Sequence, residues 1–206
     1  MGVSGQGAGG HGATAGTSAQ SVAGATGAGE GGVGGSAGST GPGSRELFFS
    51  EYVEGSGSYK ALEIRALGAT SLSGCAIATY FNGNTTATKL ALDATIAAGG
   101  VYVLCSTTLA SVAGVHCDRT TNLSFNGNDA IALECEGATL DVLGQIGFDP
   151  GVAWTDDLAS TADQTLRRRC DVTLGDALGS DTFLPSLAWQ AFPTDTFDGL
   201  GSPACE

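Results

Sequence analysis

LFFSEY at residues 47–52 and KALEIR at residues 60–65 decide the fold, and a Gly/Ser turn at residues 55–58 separates them. The first run is rich in aromatic side chains, which favour strands. In the second run Leu62 and Ile64 alternate with charged residues, the period-two pattern of a strand with one buried face. The two runs therefore predict neighbouring strands joined by a short turn.

Further short β-prone runs follow, and Asn-Gly pairs at residues 82–83 and 126–127 mark turns between them. No segment shows helical periodicity beyond two turns. Seven or eight short strands with frequent turns predict an all-β fold, an immunoglobulin-like β-sandwich. The remaining predicted strands are residues 75–81, 88–92, 101–105, 129–135, 139–146 and 165–170.

The folded domain is expected to span residues 45–206, because the composition changes abruptly at Arg45. Residues 1–44 hold half of the 34 Gly and no aromatic residue, Leu, Ile or Cys. Such a segment buries too little apolar surface to offset its ordering entropy, so we predict a disordered Gly/Ala/Ser/Thr-rich tether. From about residue 171 onward we expect an irregular C-terminal extension of the domain.

The folded part is strongly acidic, since the net charge is −13 and Glu30 is the only charged residue of the tether. An acidic surface repels phosphate backbones and anionic lipids, so we expect no nucleic-acid partner. No run approaches the roughly 20 apolar residues of a transmembrane helix, and no signal peptide is visible. If the protein is exported, we expect its export signal upstream of Met1, where it can include a lipid anchor.

All six cysteines lie in the folded part, and no two of them form a C-x-x-C pair. Disulfides are therefore a better interpretation than zinc ligation, and they predict an oxidising compartment. The alternative is a set of free buried thiols. Six cysteines allow fifteen pairings, so the number of cysteines leaves the connectivity open.

Several runs in one order resemble the lamin-tail domain of exported bacterial proteins, over residues 47 to about 170. The resemblance implies an immunoglobulin-like sandwich that serves as an interaction or anchoring module. One departure is Cys75, which follows the Leu-Ser-Gly turn where the family often has an aromatic residue. The runs are SEYVEGS (50–56), KALEI (60–64), LSG (72–74), IAAG (96–99), VYVL (101–104), FNGNDAIAL (125–133), DVLG (141–144) and TLRR (165–168).

The expected disulfides are Cys105–Cys117, Cys75–Cys135 and Cys170–Cys205. Cys105 ends a predicted strand and Cys117 lies twelve residues later, so a bridge there closes one excursion of the chain. The second pair lies at the start and end of apolar strands, and the position of a usual core aromatic suits a partner inside the sandwich. The third pair anchors the irregular C-terminal extension.

Histidine chemistry has little support in this sequence. His11 lies in the tether, and His116 lies in a loop beside Cys117 and Asp118. A Ser–His–Asp site needs His116, but no G-x-S-x-G elbow accompanies it, so a solvated loop histidine is expected. A histidine-based metal site is not expected either, because the chain has only these two histidines.

Carboxylates supply the other hypothesis for catalysis or metal binding. Glu51, Glu54 and Glu63 fall in neighbouring strands and the turn between them. They can line one edge and bind Ca²⁺, or act as an acid–base pair. No D-x-D-x-D-G loop is present, so we expect strand charges, with Glu51 or Glu63 paired to Lys60 or Arg167.

Arg167, Arg168 and Arg169 form the one basic cluster, and on a strand the first and third share a face. The cluster can bind an anion, but pairing with carboxylates such as Asp163 and Asp171 is the simpler interpretation. Aromatic residues of the C-terminal third can stack on sugar rings if exposed, but we expect them to close the end of the sandwich. These residues are Trp154, Trp189, Phe192 and Phe197.

The sequence as a whole predicts a non-enzymatic, extracellular or cell-surface interaction module that needs no cofactor or metal. The expected partner is a protein or polysaccharide at the cell surface, and the expected state is a monomer. Two alternatives stay open, an accessory carbohydrate-binding module and a small secreted hydrolase. Clustered exposed aromatics favour the first, and a concave pocket with two close carboxylates or His116 favours the second.

Overall fold

The structure is a computed structural model that describes residues 1–2 and 46–202. The predicted tether, apart from its first two residues, and Cys205 lie outside this part of the chain. The described strands are β1 Leu47–Glu54, β2 Lys60–Ala66, β3 Thr70–Ser71, β4 Cys75–Tyr80, β5 Thr88–Ala91, β6 Thr95–Ile96, β7 Val101–Ser106, β8 Arg119–Thr121, β9 Ala130–Cys135, β10 Ala138–Leu143, β11 Gln164–Arg168 and β12 Trp189–Phe192. One short helix, α1 Pro185–Ala188, and two 3₁₀ turns, Phe81–Gly83 and Leu109–Ser111, complete the described elements.

The strands form two main sheets, and the predicted all-β class is confirmed. The larger sheet has six strands in the order β12-β11-β1-β2-β7-β8, and the second has four in the order β10-β9-β4-β5. β3 and β6 form a separate two-stranded sheet. The pairs within the main sheets are antiparallel, except that β7 and β8 run parallel.

The main core combines residues of both sheets, as in a sandwich. The larger sheet contributes Phe49, Tyr52 and Leu62, and the smaller sheet contributes Ile77 and Leu133, each at most 2% exposed. The alternation seen in the sequence is what turns these side chains to one face. The core therefore lies between the inner faces of the two sheets.

β1 is the centre of the larger sheet and is buried on both faces. All eight of its residues are buried, including the polar Ser50, Glu51 and Glu54. A bulge between Phe49 and Glu51 shifts its register against β2. A bulge leaves two residues opposite one, so Phe49 and Tyr52 both face the main core although they are three residues apart.

Two disulfides join the pairs expected from the sequence. Cys75–Cys135 connects β4 to β9, where the two residues are directly opposite, and both lie in the main core. Cys105–Cys117 closes the excursion after β7. Cys170 is also disulfide-bonded. Its expected partner, Cys205, lies outside the described residues.

The expected irregular extension from about residue 171 contains regular structure that the sequence analysis missed. α1 and β12 occupy residues 185–192, and β12 pairs with β11 at the edge of the larger sheet. Trp189 is the physical reason, because its buried ring packs on Arg168 across the strand pair and fixes the register. None of the helices in residues 1–2 and 46–202 has the length and apolar character needed to cross a bilayer.

Candidate functional site

Two glutamates meet on the outer face of the larger sheet. Glu51 of β1 and Glu63 of β2 are opposite each other in the register, and both are fully buried. The bulge at Glu51 and the alternation of β2 turn both side chains away from the main core. We call Glu51 and Glu63 the carboxylate pair.

Two segments bury this outer face. The first is the excursion at residues 106–118, closed by Cys105–Cys117, and the second is the C-terminal segment at residues 193–202. We call these two segments the cover. Leu109 and Leu200 of the cover pack with Val53 and Val103 of the sheet in a second apolar cluster.

The carboxylate pair is hydrogen-bonded to the sheet and to the cover. Glu63 Oε1 accepts the Ser50 hydroxyl at 2.6 Å, and Glu63 Oε2 accepts the Gly201 N–H at 2.7 Å. Arg167 Nε donates to Glu51 Oε2 at 3.2 Å, and the same guanidinium also pairs with Asp198 of the cover. Glu51 Oε1 is buried and has no hydrogen-bond partner among the described residues.

Burial dominates the electrostatics of the pair. It raises the pKa of Glu51 to about 7, with a further increase from Glu63, although Arg167 lowers it. Burial also raises the pKa of Glu63, against the hydrogen bonds from Ser50 and Gly201. Desolvation disfavours the charged form of a carboxyl group, and here it outweighs the lowering of the pKa by Arg167 and, at Glu63, also by Arg65.

Glycines bring the cover into contact with the pair. A Cβ at Gly199 would overlap the Glu51 carboxylate and the Arg167 guanidinium. Gly201 has a φ of +84°, and a Cβ there would lie 2.8 Å from the His116 ring. Glycine is the residue that accepts both this conformation and this close approach.

The carboxylate pair has the chemistry of an acid–base site without access for a substrate. A carboxyl group with a pKa near 7 beside an arginine is an arrangement that general acid–base catalysis uses. Here both glutamates are 0% exposed beneath the cover. The side chain of His116 is 58% exposed and its Nε2 lies 3.2 Å from Asp118 Oδ1, at the surface of the cover.

Glu54, the third glutamate of the hypothesis, lies apart from the pair. It forms a salt bridge with Lys60, and its Oε2 accepts the N–H of Asp163. The three glutamates therefore do not line one edge, because the side chain of Glu54 points to the face of β1 opposite to that of Glu51. Within residues 1–2 and 46–202, no group of three or more His, Cys, Asp or Glu is placed to hold a metal ion.

Arg168 and Asp141 form a buried ion pair that sequence analysis missed. Asp141 Oδ2 also accepts the Phe49 N–H at 2.8 Å, and Arg168 Nε donates to Phe49 O at 2.9 Å. Burial raises the pKa of Asp141 to about 6, although Arg168 lowers it. The sequence feature that could have revealed this pair is Asp141 itself, an aspartate among the apolar residues at the end of β10.

Arg169 behaves differently from its two neighbours. β11 ends at Arg168, so Arg169 does not share a strand face with Arg167 as the sequence analysis expected. Arg169 pairs with Asp171 at the surface, as expected. The expected pairing with Asp163 is wrong, because in the described part the other two arginines pair elsewhere, Arg167 with Glu51 and Asp198 and Arg168 with Asp141.

The four aromatics of the C-terminal third pack against neighbours rather than forming an exposed platform. Trp154 and Trp189 are buried, and Phe192 and Phe197 are half-buried. Phe197 meets Tyr59 edge-on at 5.7 Å, and Arg167 lies 4.3 Å over the Phe192 ring. These positions lack the exposed ring faces that sugar stacking needs.

An open groove of about 670 Å³ lies beside β12, which is an edge strand of the larger sheet. Its apolar lining comes from Leu158, Trp189 and Ala191. We call this cavity the β12 groove. Arg169, Cys170, Asp171, Ser186 and Gln190 complete its lining.

Asp156 links the loop at Leu158 to helix α1 beside the β12 groove. Its Oδ1 accepts the N–H of Leu158 at 3.0 Å, and its Oδ2 accepts the N–H of Ser186 at 2.9 Å. Leu158 is nevertheless 77% exposed, and Leu187 of α1 is 69% exposed. Leu158 therefore places an exposed apolar side chain in the lining of the groove.

Comparison with known proteins gives no family for this chain. No protein-family model matches it, and no curated protein is significantly similar to it.

Proposed function

We propose that this protein is a non-enzymatic interaction and anchoring module of the extracellular space or cell surface. The β12 groove carries the proposal, because it combines an open cavity of mixed apolar and polar lining, the exposed Leu158 and an edge strand. Pockets of roughly 300–1,000 Å³ that combine apolar walls with polar groups are usual binding sites. Asp156 accepts hydrogen bonds from Leu158 and Ser186, two residues of the groove lining.

The state of the carboxylate pair supports a non-enzymatic role. Its two glutamates are buried beneath the cover and hydrogen-bonded to it, so their chemistry serves the packing of the domain. The charged residues that line the β12 groove are Arg169 and Asp171, which pair with each other.

The proposed compartment and fold family rest on other features. Two intramolecular disulfides suit an oxidising, extracellular environment. The ordered runs from residue 47 to about residue 170 resemble the lamin-tail domain, and two sheets around one core suit its immunoglobulin-like sandwich. We propose this sandwich as the fold and a surface protein or polysaccharide as the partner.

Binding of the labelled chain to intact cells of its own species tests the function. Saturable binding is expected, and Leu158→Asp should weaken it by about tenfold or more, since an introduced charge must be desolvated on binding. Val152→Asp is the matched control, because Val152 is 79% exposed and lies outside the groove.

The proposal fails if the chain shows no saturable binding to cells. It fails equally if the chain turns over a nuclease, esterase or glycosidase substrate and Glu51→Gln abolishes that turnover. Cell fractionation checks the compartment, where recovery of the native protein in the reducing cytoplasm contradicts an extracellular site.

A further inference from the structure

The exposed edges of the two main sheets differ in how they are protected. β5 carries Lys89, an edge charge that pairs with Glu134, and β10 is approached by the backbone at Gly175. Charged side chains and covering loops are the usual means of preventing strand addition at an edge. β12 has the sequence WQAF without any charge, and its edge lies along the β12 groove.

The groove beside β12 suits an aliphatic side chain of an added strand. Successive residues of a strand point to opposite sides, so alternate side chains of an added strand reach the same surface. Leu158 and Ala191 offer apolar contacts there. Main-chain hydrogen bonds supply affinity in this mode of recognition, and a side-chain pocket supplies specificity.

The charge of the residues around the groove indicates which kind of added strand binds there. Two carboxylates lie beside Leu158 at the groove, the exposed Asp157 and the half-buried Asp156. Arg169 is the one basic residue in the groove lining, and Asp171 already neutralises it. With a net charge of −13 on the whole chain, the surface attracts a basic partner.

We propose that the edge of β12 binds an extended, basic segment of a partner protein by strand addition, with an aliphatic side chain in the β12 groove beside Leu158. This inference rests on the proposed function and names the partner's chemistry. The partner is then a protein and not a polysaccharide.

The test uses the full chain and a synthetic peptide, acetyl-Lys-Thr-Val-Thr-Val-Lys-amide. We expect saturable binding by NMR titration, with the largest amide shifts at Gln190 and Ala191. A peptide in which both valines are N-methylated lacks two backbone N–H donors. It should therefore bind about tenfold more weakly or worse. A peptide with Glu in place of both Lys should lose affinity to a similar degree because of the acidic surface.

Leu158→Asp should weaken peptide binding by about tenfold or more, and Val152→Asp should leave it unchanged. Equal affinity for the N-methylated peptide, equal loss in both variants, or no saturable binding overturns the inference. Concentration-dependent dimerisation that moves the same two amides, measured by sedimentation and NMR without peptide, also overturns it, because the occupant is then a second copy.

The two proposals fail in distinguishable ways. If the chain binds cells and Leu158→Asp weakens that binding, but the peptide does not bind, the interaction module stands and the basic strand is wrong. If the peptide binds as expected and no cell binding occurs, the groove recognises strands and the proposed cell-surface function is wrong.

Discussion

Asp141 on β10 and Arg168 on β11 join the two sheets through one buried ion pair, with the guanidinium also held over the Trp189 ring at 4.2 Å. Asp141→Asn leaves the Arg168 charge buried without its counter-ion, which typically costs about 3–5 kcal/mol. We expect the free energy of unfolding in guanidinium chloride to fall by that amount. Asp171→Asn, in the exposed pair with Arg169, is the control and should not change it measurably. Equal effects of the two substitutions would contradict the role of the buried pair.

The carboxylate pair makes stability depend on pH. Burial raises the pKa of Glu51 from 4.5 to about 7, so between these values the folded protein holds a proton that the unfolded chain has released. Stability is therefore greatest at the acidic end of this window and falls as the pH rises through it, by roughly 3 kcal/mol for this group. The raised pKa values of Glu63 and Asp141 act in the same direction.

Glu51→Gln removes one of these titrations. We expect the variant to lose less stability than the wild type between about pH 5 and pH 8, measured as the free energy of unfolding. Glu46→Gln, at an exposed position before β1, is the control and should follow the wild type. A steeper pH dependence in Glu51→Gln would refute the burial argument.

The two described disulfides close loops of different length. Cys75 and Cys135 are 60 residues apart, and Cys105 and Cys117 are 12 apart. In the chain-entropy model their removal costs about 4 and about 3 kcal/mol respectively. Double alanine variants compared by thermal unfolding should follow this order. The shorter bridge also holds the cover, so its loss should accelerate hydrogen exchange at the Gly201 amide, whereas unchanged exchange would argue against a joint cover.

Gly199 determines how closely the cover approaches the sheet. In Gly199→Ala the new methyl group overlaps Glu51 and Arg167, and we expect a loss of about 1–3 kcal/mol in the free energy of unfolding. Gly68→Ala is the control, since a Cβ there comes no closer than 3.9 Å to another atom. A Gly199→Ala variant as stable as the control would show that the cover adjusts without cost.

Local patterns predicted the parts of the fold that local chemistry dictates. The alternation around Leu62 and Ile64 predicted β2 and its buried face, and the Asn-Gly turn at residues 82–83 predicted the end of β4. β12 escaped prediction because its four residues carry no long alternation, and Trp189 becomes a strand residue through its contact with Arg168. That contact joins distant parts of the chain.

The candidate site could also be predicted only in part from local sequence patterns. The sequence predicted Glu51 and Glu63 in neighbouring strands and gave Arg167 as a possible partner, and Arg167 does pair with Glu51. It did not predict their burial, because the cover that buries them comes from far along the chain. The Gly201 N–H that bonds to Glu63 is 138 residues away. The β12 groove was missed for the same reason.

The pairing of β1 with β11 has a consequence for the order in which the protein folds. Glu51 meets Arg167 across 116 residues of sequence, so the central strand of the larger sheet has a partner on only one side until these distant segments meet. Contacts of such high sequence separation form slowly. β11 therefore completes the larger sheet late in folding, after β1 and β2 have formed their local hairpin.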